Sequence, residues 1–411
     1  MSSGVTQDGA AGSAVAARSL IYLLSARAVR DFGDGFVAVL LPVYLTALGY
    51  SPFEVGAIAT SALLGSALLT LAIGMIGGRH DRRRLLLAGA SLMVATGVAF
   101  TLVHEFALLL VVAFAGTINP SAGSVSIFVP LEHAVLSGEV ADRSRTRMFA
   151  HYSMIGALSA ACGALAAAIP AYLAYVGVDL LMAIKAMFVL YALLGVTGCL
   201  LYARLPRRAM PTSPVHSAAL GPSRHIVYRL AALFSLDAFA GGFVVQSLLA
   251  LWLFERFDLS LSAASLFFFW SGLLSAFSFP VAAWLSRHVG LINTMVFTHI
   301  PSSVCLILTA FAPTLPLALS LLLVRAALSQ MDVPTRSSYV MAVVTEAERP
   351  AAASFTAVPR SLAAAASPAL AGALFAASFQ ALPLLICGAL KILYDLLLLT
   401  QFRRLKPPEE Q

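Results

Sequence analysis

Three stretches of this chain place ionisable residues inside otherwise apolar runs, at spacings that could move a proton or hold an ion. Arg27, Arg30, Asp31 and Asp34 give two i,i+4 pairs, Arg27–Asp31 and Arg30–Asp34, the separation at which opposite charges meet on a helix. Either the pairs merely neutralise one another, or Asp31 and Asp34, three apart on one face, line a wet cavity where one exchanges a proton. Asp237 has no opposite charge within four residues on either side. Its partner must come from another helix, or it is protonated and can carry a proton; the plainer account is a hydrogen-bonded Asp that fixes packing. Arg325, Asp332 and Arg336 fall at i, i+7 and i+11, which on an unbroken helix is one face. Asp332 and Arg336 can then pair, leaving Arg325 free to hold an anionic group, with Tyr339 and Arg360 extending the same site. The alternative is a structural charge cluster at a gate, bent at Pro334.

Weaker signals surround these. Asn119-Pro120 is a polar break inside an apolar run, suited to lining a cavity or to kinking a helix for packing. Glu132 and His133 are adjacent, so their side chains point about 100° apart and make a poor metal pair; a solvated surface is the expectation. His151 and Tyr152 lie one turn into the following run, within reach of a cavity if they face inward. Lys391 and Asp395 are spaced to pair at i,i+4, a structural role, and Lys185 is assigned likewise. Cys162, Cys199, Cys305 and Cys387 are scattered singly, without metal or disulfide spacing. No nucleotide-binding loop, metal-binding His helix or nucleophile elbow is present. An enzyme, a cofactor and a metal are therefore not expected.

The elements that must position these residues follow from composition. Of 411 residues 60% are hydrophobic and 11% charged, whereas soluble domains carry about a quarter charged. Apolar stretches long enough to cross a ~30 Å hydrocarbon core recur throughout. In lipid the backbone must satisfy itself, and the runs do not alternate, so they are helices and not barrel strands. The chain is read as an all-α membrane protein with twelve spans at 20–48, 53–76, 85–104, 107–135, 147–172, 178–204, 225–255, 262–286, 290–311, 315–344, 351–378 and 382–402. An ionisable group near a span centre costs at least ~2.5 kcal/mol on insertion scales, so each one needs a reason.

The net charge of +7 reports topology and not a nucleic-acid partner. Eighteen of the 26 Lys and Arg residues sit in the tails and in alternate connections, and the intervening connections hold only Arg256. This bias places both termini in the cytoplasm. Residues 1–17 read as a disordered cytoplasmic tail, 18–204 as a first six-helix half, 205–224 as a Pro- and Arg-rich linker, 225–402 as a second half, and 403–411 as a tail. The halves repeat at a near-constant offset: Gly35-Phe36-Val37 matches Gly242-Phe243-Val244, Arg79-His80 matches Arg287-His288, Asp142-Arg143 matches Glu348-Arg349, and Lys185 matches Lys391. Six spans per half is even, so the copies share one orientation.

This organisation resembles the major facilitator superfamily across Leu20 to Phe402. The family's loop after the second span reads Gly-x-x-x-Asp-Arg-x-Gly-Arg-Arg. Here Gly74 to Arg83 keeps Arg79, Arg82 and Arg83, with Gly78 at the Asp position and Asp81 displaced to the later Gly position. Leu41-Pro42-Val43-Tyr44 is similar to a first-span proline motif, and Arg325 stands where the second half keeps the fourth-span Arg. The fifth-span antiporter signature is not matched by Gly156 to Gly163. The resemblance implies a secondary transporter working by alternating access, with spans 1, 4, 7 and 10 around the cavity and Arg79, Asp81, Arg82 and Arg83 in a conformational loop. Proton-coupled export of a small organic compound is the expectation, with Asp31, Asp34 or Asp237 carrying the proton and Arg30, Asn119, Arg325, Asp332, Arg336, Tyr339 or Arg360 binding solute or gating. An importer of an organic or anionic solute, or a lipid flippase or scramblase, stands as the alternative. The expected setting is a plasma membrane (inner membrane in a bacterium), with a monomer in contact with lipid, solute and protons.

Overall fold

A computed structural model of the chain describes residues 4–76, 80–121, 126–139, 142–206, 220–345 and 348–403, and every regular element among them is an α-helix. In order they are α1 (Gly4–Ala47), α2 (Pro52–Ile76), α3 (Arg82–Leu102), α4 (Phe106–Ala115), α5 (Phe128–Glu139), α6 (Asp142–Ala166), α7 (Ile169–Tyr175) and α8 (Leu180–Ala203). The second half continues with α9 (Arg224–Gly242), α10 (Gln246–Phe257), α11 (Leu261–Val289), α12 (Leu291–Ala310), α13 (Leu315–Ser329), α14 (Asp332–Ala342), α15 (Arg349–Ala376) and α16 (Leu382–Phe402). Among the described residues, nine helical segments are long and apolar enough to cross a membrane. The expected first, fourth and eleventh spans are helical but fall outside that set. Four charges interrupt the expected first span within α1, α4 and α5 are each short, and α15 is diluted by Pro, Ser and Arg360. The helix of α1 also starts at Gly4, where a disordered tail was expected; Ala at 10, 11, 14, 16 and 17 gives that stretch high helix propensity.

Three of the expected spans are broken mid-way. In the fourth, residues 116–121 leave the helix; Pro120 has no N–H to give, and the Asn119 side chain takes the Ser121 N–H at 2.9 Å. In the seventh, the chain steps out of helix between Gly242 and Gln246. The two breaks meet, because the Ser247 N–H donates to the Pro120 carbonyl at 3.1 Å. A first-turn N–H with no partner in its own helix thus satisfies a carbonyl that lies outside a helix. The tenth span breaks at Gln330–Met331, one turn before Pro334, which has no N–H for the Gln330 carbonyl four residues earlier. Pro334 itself lies in the first turn of α14, where its missing N–H costs nothing.

Glycines set how closely the helices approach. A Cβ on Gly35 of α1 would stand 2.1 Å from the Ala160 carbonyl oxygen of α6, and one on Gly242 of α9 would stand 2.0 Å from the Ser367 hydroxyl of α15. Both partners in the second contact are displaced by 207 residues from those in the first, so the repeated Gly-Phe-Val performs one packing role twice.

Apolar packing is divided unevenly between the two ends of the molecule. A single large cluster joins both halves, drawing Phe36 to Leu45 and Val55 to Leu63 together with Phe243 to Leu253, Ala371 and Phe375. Two smaller clusters remain separate near the basic connections, one around Leu23, Leu86 and Leu131, the other around Val227, Met295 and Val340. The ends remote from the basic loops are therefore sealed together, and backbone contact at Gly56 and Gly372, each too close to the facing helix for a Cβ, reinforces the seal.

Candidate functional site

Two buried charge networks lie one in each half. In the first, Glu132 of α5 is fully buried and is the acceptor hub. Arg30 of α1 approaches it through both terminal nitrogens, at 2.9 and 3.2 Å, and the hydroxyls of Tyr152 and Tyr202 donate to it from α6 and α8. Asp31 lies 2.7 Å from the Arg27 Nε and 3.5 Å from the Arg30 Nε. The guanidinium carbons of Arg27 and Arg30 sit 4.7 and 4.5 Å from the rings of Tyr152 and Phe128, a favourable stacking for a desolvated cation. Among the described residues Asp34, one turn deeper, has only the Tyr191 hydroxyl within hydrogen-bond reach, at 3.3 Å, and the single O–H of Tyr191 can turn instead to the Thr117 carbonyl at 3.2 Å, beside the break in the fourth span.

The arrangement corrects two expectations. Arg30 pairs with Glu132 and Asp31, not with Asp34, because the carboxylate on α5 offers both oxygens to its fork. Glu132 is not solvated; it is the residue the sequence reading missed. The charge count gave no signal for it, since Asp31 and Asp34 already balance Arg27 and Arg30.

The second network is centred on Asp237. Lys391 of α16 lies 2.6 Å from one carboxylate oxygen and Arg336 of α14 lies 3.0 Å from the other, with His299 of α12 at 3.8 Å. The partners do come from other helices, so Asp237 is a paired anion. Arg336 also reaches Asp332 at 3.1 Å and stands over the Phe234 ring. Lys391 does not meet Asp395. It turns to Asp237, and Asp395 takes the His299 Nδ1 at 3.0 Å. With its proton on Nδ1 the imidazole donates to Asp395 and accepts from Lys391 at 3.2 Å through Nε2.

The remaining expected site residues separate. The break at Gln330–Met331 takes Arg325 off the Asp332–Arg336 face; it sits near Cys305 and Cys387, with no ion-pair partner among the described residues. Arg360 does face the second network, within Coulombic reach of Asp237, Asp332 and Arg336, and its Nε is buried without a hydrogen-bond partner. Tyr339 is fully buried in an apolar cluster against Phe402, a packing position and not a lining one. Asn119 is buried at its turn. Arg79 lies outside the described residues. Asp81 caps α3 by accepting the Arg83 N–H at 3.0 Å, Arg83 donates onward to the Ala203 carbonyl, and Arg82 is exposed. His151 is exposed, while Tyr152 points in to Glu132. Among the described residues no group of His, Cys, Asp and Glu could hold a metal ion.

Outside the spans, Glu348 ties the start of α9 to the connection before α15. It accepts from the Gly221 N–H at 2.6 Å and from the Ser223 and Thr345 hydroxyls at 2.7 Å. Hydrogen bonds from Thr345 and Ser223 hold its carboxyl down to about 2.

Residues 23–329 match the family model of the Major Facilitator Superfamily. The chain belongs to that superfamily. The family is one of transporters, not enzymes. An uncharacterized membrane protein of Saccharomyces cerevisiae, YJR124C, is 23% identical over 424 residues, covering 94% of each chain. Among solved structures, the fold is similar to a bacterial homologue of the human lysosomal transporter Spinster, captured inward-facing and unoccupied, at 15% identity, TM-score 0.68, and 94% and 98% coverage of this chain and that one. The nucleoside transporter NupG gives 12% identity and a TM-score of 0.72 over 94% of this chain and 100% of its own. A POT family peptide transporter gives 14% and 0.71 over 95% and 97%.

Proposed function

We propose that the chain is a proton-coupled secondary transporter of a small organic solute, working by alternating access across twelve spans in two parallel six-helix halves. One observation carries the coupling role. Among the described residues six carboxylates are buried in the spans; Asp31, Glu132, Asp237, Asp332 and Asp395 each have a basic side chain as partner there, and Asp34 has only a phenol. Protonating Asp31, Glu132, Asp237 or Asp332 strips a partner from a buried ion pair, a change that costs several kcal/mol, and protonating Asp395 takes the acceptor from the His299 N–H. Protonating Asp34 breaks no pair. It also lies beside the fourth-span break, where a shift of Tyr191 would tell the backbone at Thr117 whether the proton is bound.

On this reading the basic ends face the cytoplasm with both termini, and the sealed ends face out. The cell's plasma membrane is the setting, a monomer is the working unit, and export is the direction favoured by the loop at Asp81 to Arg83. A second reading, import of an organic anion, is favoured by Arg325 and Arg360, cations without carboxylate partners among the described residues. Proteoliposomes loaded with a pH-sensitive dye and challenged with a panel of neutral, cationic and anionic solutes test the proposal. A solute-dependent lumenal pH change in the wild type, absent in Asp34→Asn, is expected. Solute movement with no proton movement would remove the coupling.

A further inference from the structure

Neither charge network uses the outer surface of the first half, where a crevice of 360 Å³ opens between α1, α6 and α8. Ala28, Val29 and Phe32 form its floor, Leu158 and Cys162 one wall, and Leu194 the other. The α6 wall is exposed at Cys162 and Leu165, while the neighbouring Ala161 is buried against Gly272 of the other half and closes that side. The crevice therefore looks into the membrane and not between the halves.

Its floor has a charged end. Arg18, Ile21, Ser25, Ala28 and Phe32 recur at alternating steps of three and four residues, which is one stripe of a helix. Arg18 and Ile21 are exposed. At the same end of α8, exposed Arg204 stands 6.0 Å from the ring of Tyr22 on α1. From Arg18 to Val29 the helix rises roughly 16 Å at 1.5 Å per residue, about half the thickness of a ~30 Å hydrocarbon core. Two cations thus sit at headgroup depth above an apolar slot that starts where an acyl chain would run.

We propose that this groove binds an anionic phospholipid of the leaflet on the basic side, with its phosphate between Arg18 and Arg204 and one acyl chain in the crevice. The charge decides the occupant: a zwitterionic lipid would fill the slot equally well but would gain less at the two arginines. The bound chain steadies the lipid face of α1, the helix that carries Asp34. The site is independent of proton coupling and stands or falls without it.

The full chain is reconstituted in equimolar dioleoylphosphatidylglycerol and dioleoylphosphatidylcholine, extracted in mild detergent, and its retained phospholipid measured by mass spectrometry. Retention of phosphatidylglycerol about thirtyfold over phosphatidylcholine is expected from two basic contacts. Parity is expected in the Arg18→Gln/Arg204→Gln variant, and loss of the retained lipid in Ala28→Trp. Leu158→Trp fills the same slot from α6 and guards against a folding defect in α1. Parity in the wild type, an unchanged preference in the double Gln variant, or full retention in both Trp variants would overturn the proposal.

Discussion

Asp34 and Glu132 divide the labour in the first half by what surrounds them. Glu132 is held by a guanidinium and two phenols, so it cannot lose Arg30 without stranding a charge. Glu132→Gln is predicted to destabilise the protein by about 3 kcal/mol, the cost of unpairing a buried ion, read as a lowered unfolding midpoint in detergent. Tyr202→Phe should cost only about 1 kcal/mol, since the ion pair survives. The sequence placed Asp31, Asp34 and Asp237 inside the bundle correctly but could not say which was unpaired. That depended on Glu132 and Lys391, whose side chains cross from neighbouring helices, and i,i+4 spacing carries no information about such crossings.

At the level of elements, the breaks and the close crossings do the positioning. Gly163 on α6 would put a Cβ 2.0 Å from the Phe32 carbonyl. Gly163→Leu should therefore push α1 from α6 and cost about 2 kcal/mol or more, as overpacking does, measured by thermal unfolding. The connection anchored by Glu348 has a distinct pH signature. Its carboxyl ordinarily titrates near 4.5 and is held down to about 2, so its contribution is complete above pH 4.5 and fades as pH falls toward 2. The difference in unfolding temperature between wild type and Glu348→Gln should be constant above that window and shrink within it. Asn119-Pro120 announced its break in the sequence, because proline removes a donor. The break at Gln330–Met331 was legible in kind, because Pro334 lacks the N–H that the Gln330 carbonyl four residues earlier would accept, but its place one turn ahead of the proline was not drawn.

Across the whole molecule, the repeated packing at Gly35 and Gly242 was legible because each must admit a facing helix, and that requirement leaves the same residues at a fixed offset. The unequal ends were not, since hydrophobicity says which residues are apolar and not which half they touch. Gly372 of α15 lies in the sealed end, where a Cβ would stand 2.5 Å from the Pro52 carbonyl. Gly372→Leu should loosen that seal and speed maleimide labelling of a cysteine placed at Ser247, which is now fully buried. Labelling no faster than in the parent would place the seal elsewhere.

The central claim is that Asp34 is the group that takes up and releases a proton while the other buried carboxylates stay in their pairs. Infrared difference spectra of the reconstituted protein across a pH titration observe this directly through the carboxylic-acid C=O stretch. Over the signal of the exposed carboxylates common to all variants, one further titrating band is predicted in the wild type and in Asp237→Asn, and its loss in Asp34→Asn. An unchanged band in Asp34→Asn would contradict the account.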